Sequence, residues 1–252
     1  MQERINKSPI WFPADWPAPV NIHAGTTTRV GGFSISPYSS LNLAGHVDDD
    51  PDNVSRNRQK VIYELNLPGE PVWLTQVHGN NVINISTGEI TQQADGAYTN
   101  TSGHVCVVLT ADCLPLLICD QGGKEAAAIH IGWRGYSKDI VSSALKMFTA
   151  KPEKLMAWIG PYIHSEYYEV GEEVRSACLN IAVDAAQTFQ PAREGHWYAN
   201  LDLLVRYQLE FLGLTNIYGG KYCTYRDANL FYSYRRDGNT GRVASMIWMD
   251  SF

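Results

Sequence analysis

Three short apolar runs, VCVVLTA (105–111), LPLLICD (114–120) and EAAAIHIG (125–132), follow one another with hardly a polar position to mark a wet face. Continuous apolar runs of this length fit strands buried on both faces better than strands with one solvated face. NIHAGTTTR (21–29) and LMAWIGP (155–161) predict further strands. PVWLTQV (71–77) and NVINIS (81–86) predict two more, joined by a hairpin-like turn at HGN. The helical period appears at 52–65, where Asp52 can cap and Val54, Val61, Ile62 and Leu65 share a face. It appears again at 136–149, at 171–181 and at 200–214, the last capped by Asn200 or Asp202. Residues 30–51 form a turn-rich loop of a length usually tied to function or mobility. The segment 231–249 predicts a hairpin turning at Asp237–Gly241. Strands and helices mix without regular βαβ alternation. The expected fold is therefore α+β, one domain over residues 1–252 with mixed sheets sandwiched between helices.

Composition narrows the function classes. The 252 residues carry a formal net charge of −6 and no Lys/Arg cluster, which argues against a nucleic-acid surface but leaves room for a small anionic ligand. The N-terminal stretch has no apolar signal core and no segment is long enough to span a bilayer, so a cytoplasmic protein without a membrane partner is expected. The five cysteines are an odd number without a CxxC pair, which reads as free thiols in a reducing compartment. Most should be small buried hydrophobes.

Position singles out one of them. Cys113 in TADCLP, His78 in TQVHGN and His130 in AIHIGWRG all stand at the edges of predicted strands. Two imidazoles and a thiolate can hold Zn²⁺ through three protein ligands and leave a fourth position open. Without metal, the same residues could form a cysteine nucleophile with a histidine base. A core cysteine beside two hydrogen-bonded histidines fits the spacing equally well. Gly79, Gly132 and Gly135 flank the histidines and permit close backbone approach to a ligand. Arg134, on a glycine-bounded turn entering a helix, suits an oxyanion or phosphate. Arg29, Arg56, Arg58, Arg235 and Arg236 are further candidates, though solvated charge or structural ion pairing is the commoner role for any one arginine.

Eight motifs in order carry a resemblance over nearly the whole chain: TTRVGGFS (27–34), SLNLAGHVDDDPDNVSRNR (40–58), QVHG (76–79), ADGAYTN (94–100), TADCLP (110–115), HIGWRG (130–135), GPYIHSEYYEVG (160–171) and FYSYRRDGNTGR (231–242). The sequence closely resembles the bacterial YfiH family, described variously as polyphenol oxidase (laccase-like), purine nucleoside phosphorylase and peptidoglycan editing factor. FAMIN is its vertebrate relative. The resemblance implies a YfiH-like, cysteine-hydrolase-like α+β domain. It also implies that His78, Cys113 and His130 are the metal ligands and catalytic centre, with zinc the usual metal and copper possible. Ile131, where the family commonly has a small residue, and His164–Ser165, where it tends to show Gly-Pro, are departures near the site.

The activities attached to that family can be ranked physically. A laccase needs several clustered histidines for its copper centres, and seven histidines without an HxH pair do not supply them. Phosphorolysis of purine nucleosides, with adenosine deamination at the same metal, fits better. The HSE at 164–166 matches half of the nucleobase-deaminase signature, but no PCxxC follows, which excludes that fold. Arg134, Arg29, Asn42 and Asp112 stand as candidates for binding nucleoside and phosphate, and Asp112 or Glu169 as the general acid. Two alternatives stay open: a Cys113-dependent amidase editing a cell-wall peptidoglycan precursor, and a metal- or nucleotide-binding module that never turns over.

Overall fold

The computed structural model describes residues 9–87, 93–181 and 183–250. Its strands are β1 (Trp11–Pro13), β2 (Ile22–Thr27), β3 (Val82–Asn84), β4 (Gly96–Thr99), β5 (Val105–Thr110), β6 (Leu114–Asp120), β7 (Ala126–Ile131), β8 (Leu155–Ile159), β9 (Glu169–Gly171), β10 (Phe189–Pro191), β11 (His196–Ala199), β12 (Asn216–Gly219) and β13 (Val243–Met249). The helices are α1 (Pro51–Glu64), α2 (Trp133–Ser137), α3 (Ile140–Leu145), α4 (Glu172–Leu179), α5 (Leu201–Phe211) and α6 (Tyr234–Asp237). No helix among the described residues is long and apolar enough to cross a membrane.

The strands form a four-stranded sheet ordered β1-β2-β13-β5, a six-stranded sheet ordered β12-β8-β6-β7-β4-β3, and a small sheet ordered β10-β11-β9. The β3–β4 and β12–β8 pairs are parallel and the other named pairs antiparallel, so the sheets are mixed as expected. The apolar runs β5, β6 and β7 are buried at every position because each lies in a sheet covered on both faces. Cys106 and Val108 of β5 and Ile247 of β13 meet Leu117, Ala128 and Trp158 between the two large sheets. Leu116, Ile129 and Ala157 point the other way, onto Ile140 of α3, Val174 of α4 and Leu204 of α5. The outer face of the four-stranded sheet is closed by Val61 of α1 and by Leu41 and Leu43 of the long loop. The layers run helix, sheet, sheet, helices: the predicted sandwich.

Five local expectations fail, each for a visible reason. Segment 71–77 is extended but lies outside every sheet, apart from one bridge from Thr75 to Gln93. The Gln76 side chain takes over the pairing with β5, donating to the Leu109 carbonyl (2.8 Å) and accepting from the Leu109 amide (2.7 Å). No hairpin forms at HGN, because β3 pairs with β4 instead. The helix expected at 136–149 is two short helices broken at Asp139, whose φ of 65° is left-handed. At the C-terminus, 231–242 folds as the turn of α6 rather than as a hairpin arm, and β13 pairs with the distant β2 and β5. The α1 cap is Asp50, whose side chain accepts from the Asp52 amide; Asp52 itself lies in the first turn.

Candidate metal centre

The three chemically loaded residues come from separate elements. His78 sits in the bend before β3, Cys113 in the tight turn between β5 and β6, and His130 on β7. Their ligand atoms lie within 4.8 Å of one another, and His78 Nε2 is 3.8 Å from Cys113 Sγ. Tetrahedral zinc at ordinary N and S bond lengths sets such a pair about 3.6 Å apart, so the donor set fits that ion almost as it stands. The soft thiolate with two imidazoles also suits copper. Gly132 makes the approach feasible: a Cβ there would fall 3.0 Å from His78 Cδ2 and 3.1 Å from Cys113 Sγ.

One buried carboxylate organises the histidines. Asp95 accepts from the amides of His78 (2.9 Å), Gly79 (2.6 Å) and Val77 (3.3 Å), which fixes the bend. Its Oδ1 also faces His130 Nδ1 at 2.9 Å, leaving His130 Nε2 for the metal side. Burial raises the Asp95 carboxyl, but the His130 hydrogen bond and the amides outweigh it and hold the group below its ordinary range. Two backbones are strained here: His78 has φ 56° and Asp112, beside Cys113, has φ 97°. The Asp112 turn is pinned from three sides. Its carboxylate accepts from the Thr224 hydroxyl (2.6 Å) and the Arg235 amide (2.7 Å), and its carbonyl from the Ile163 amide.

Thiol and imidazole shift each other. Burial raises the Cys113 thiol, but facing His130 and His78 override it and bring the group down to about 6. Burial lowers His130, yet the Cys113 thiolate and Asp95 raise it to about 9. Without metal the pair is a thiolate beside an imidazolium.

The trio opens into a cavity of about 460 Å³. Its walls are apolar at Leu109, Ile163 and Leu201, aromatic at Trp133, Tyr168 and Tyr234, and cationic at Arg134, Arg235 and Arg242. Of the sequence candidates, His78, Cys113, His130, Asp112, Arg134 and Arg235 line it. Arg134 is exposed, its guanidinium 4.4 Å over the Trp133 ring. Arg29 and Asn42 lie outside the lining. Arg29 donates to the Ser39 and Ala228 carbonyls and covers Tyr232, while buried Asn42 bonds Ala44, Asp49 and the Arg242 amide. The Glu169 carboxylate is away from the cavity, paired with Arg193 at 2.6 Å. Of the two departures, Ile131 is a fully buried core residue and His164 packs at a tilt against the Tyr162 ring. Sequence reading missed Asp95, Arg242, Tyr168 and His46. Asp95 alone left a signal, a lone acid between the small residues Ala94 and Gly96.

Known proteins resemble the chain over nearly its whole length. The sequence model of a family described as "Multi-copper polyphenol oxidoreductase laccase" matches residues 23–250. Among curated relatives, "Purine nucleoside phosphorylase YfiH" of Escherichia coli K12 is 46% identical over 237 residues, covering 93% of this chain and 96% of that protein. A "Purine nucleoside phosphorylase" of Haemophilus influenzae is 43% identical over 94% of this chain and 98% of its own. Among solved structures, a Neisseria meningitidis DUF152 protein superposes with a TM-score of 0.92 at 40% identity, covering 96% of this chain and 100% of that one. A Bacillus licheniformis YfiH reaches 0.91 at 28%, covering 97% and 98%. The multi-copper wording is not matched by ligands, since His78, Cys113 and His130 are the one metal-capable His/Cys/Asp/Glu group among the described residues. On sequence and fold together, the chain belongs to this YfiH family.

Proposed function

We propose that the protein is a metal-dependent purine nucleoside phosphorylase acting on adenosine, inosine and guanosine-type nucleosides, and that it also deaminates adenosine. The observation that carries the reading is the His78–Cys113–His130 trio, open on one side to a cavity that combines apolar and aromatic walls with an uncompensated arginine. The phosphorylase names of relatives above 40% identity support it. A metal held by these three residues, zinc in the first instance, supplies a Lewis acid to the cavity.

The chain's own residues do the rest. Leu109, Ile163 and the aromatic rings give the nucleoside an apolar, water-poor seat. Arg134, with a planar fork of donors and no carboxylate partner among the described residues, holds the phosphate. A phosphate oxygen bonds to C1′ of the ribose while the C1′–N9 bond breaks, its electron pair leaving with the purine. Asp95 fixes the His130 tautomer, so the imidazole presents the same nitrogen throughout. Asp112 accepts two hydrogen bonds and acts as a brace rather than an acid.

A second reading has one observation of its own. A thiol brought down to about 6 beside His130 is also the arrangement of a cysteine nucleophile, as an amidase requires. Turnover separates the two. Metal-loaded protein with inosine should release hypoxanthine and ribose 1-phosphate only when phosphate is present. Base release that ignores phosphate, or hydrolysis of a muropeptide amide in its place, would overturn the proposal.

A further inference from the structure

Beside the metal cavity lies a second groove of about 730 Å³, and the two share His46, Gln76 and Leu109 as a common wall. Trp73, Glu70 and Arg58 line the groove but not the metal cavity, and Arg242 lines the metal cavity but not the groove. Arg242, His46 and Arg58 thus follow one another from the metal outward.

The arginines of the molecule are partnered unequally. Arg29, Arg175, Arg193, Arg206, Arg226 and Arg236 each pair with a carboxylate. Arg56, Arg58, Arg134, Arg235 and Arg242 pair with none among the described residues; Arg56 stacks over Phe33 outside the site, and the other four line the cavity or its groove. Arg235 and Arg242 spend donors on backbone carbonyls, and Arg58 stacks 4.0 Å over Trp73 with its Nε on the Leu43 carbonyl. The exposed His46 imidazole takes no hydrogen bond among the described residues. Partial desolvation against the cavity wall first, then the charges of Arg242 and Arg58, hold that imidazole below its ordinary range. Glu70 acts on Arg58, and Cys113 and Asp112 on Arg242, but none of them closes an ion pair, which leaves guanidinium charge on an open wall that suits an oxyanion brought by a ligand. Arg134 lines the metal cavity and not the groove, whereas Arg58 lines the groove and not the cavity.

We infer that the Arg242–His46–Arg58 wall is a second anion subsite, which seats the phosphate monoester of a substrate that carries one, so that nucleoside 5′-monophosphates are accepted alongside nucleosides. This rests on the phosphorylase reading. The reaction is the same displacement: inorganic phosphate bonds to C1′, the C1′–N9 bond breaks towards the purine, and ribose 1,5-bisphosphate leaves with the free base. No oxidant or further co-reactant is needed.

Calorimetric titration of the metal-loaded protein with adenosine and with adenosine 5′-monophosphate tests the subsite apart from turnover. The monophosphate should bind about tenfold tighter, as charge-assisted hydrogen bonds imply, and both His46→Asn and Arg58→Gln should collapse that preference. Equal binding of the two ligands by the unaltered protein overturns the inference, whether or not it turns nucleosides over. Phosphorolysis of adenosine with no such preference leaves the earlier reading standing and removes this one. If His46→Asn weakens inorganic phosphate but spares the monophosphate preference, the wall belongs to the free co-substrate and the inference is again overturned. Two variants are used so that a folding defect in one does not decide the result.

Discussion

At the scale of single residues the chemistry turns on Cys113. In the metal-free protein its thiol sits at about 6, below the ordinary cysteine range, and His130 at about 9, above the histidine range. The signs follow from linkage. The thiolate's contribution to stability is complete above the unfolded cysteine value of about 8.5 and is lost as pH falls through about 6. The imidazolium's contribution is complete below about 6.5 and is lost as pH rises through about 9. The ion pair therefore exists between these two limits. Alkylation of chelated protein should rise with a midpoint near pH 6, and metal-loaded protein should react far more slowly because the thiolate is tied up. Fast labelling that chelators leave unchanged would instead favour the nucleophile. Arg134 gives the second test at this scale. Lysine keeps its charge but loses the fork, so Arg134→Lys should lower phosphorolysis about ten- to a hundredfold and adenosine deamination much less. Side-by-side rates that drop equally would assign Arg134 to bracing the loop rather than to phosphate.

Elements show what a sequence discloses and what it hides. Buried strands such as β6 and helices such as α5 were legible because their own residues determine them, by apolar run or by helical period. Asn200 was readable as a cap, and its side chain does accept from the Leu203 amide. Asn200→Ala should therefore cost about 1 kcal/mol, a fall in melting temperature of about 2–4 °C by calorimetry. No change would mean that packing of Leu204 and Leu209 alone holds the helix. The elements that misled are those completed by distant partners. Gln76 reads as an ordinary polar position until Leu109 is seen across from it. Asp139 gives no local warning of its left-handed backbone, which is supported by Gln208 from α5 at 2.6 Å. The 231–242 segment carries turn residues, yet Arg236 fixes it by donating to the Thr224, Tyr225 and Phe231 carbonyls. The site divides the same way. Its candidate ligands were visible as residue types, whereas Asp95 and the His46–Arg242 wall emerge only once the sheets bring them together.

For the molecule as a whole, the metal should act as a cross-link. The candidate ligands stand in the bend after segment 71–77, in the β5–β6 turn and on β7, so one ion held there would join both large sheets at a point where two backbones are strained. Unfolding separates the three ligands, so the ion binds the folded chain far better than the unfolded one and stabilises it by mass action. With free zinc at about a hundred times its dissociation constant, the gain is about 2.7 kcal/mol. For a domain of this size that is about 5–10 °C in melting temperature. Thermal unfolding should show this drop when a chelator strips the protein, and recovery when zinc returns. Cys113→Ser exchanges a soft ligand for a poor one, so most of its metal should be gone on analysis, and its melting temperature should respond little to zinc or chelator. A Cys113→Ser protein that keeps full metal, or an unaltered protein whose melting temperature ignores the metal, would remove His78, Cys113 and His130 as the binding set.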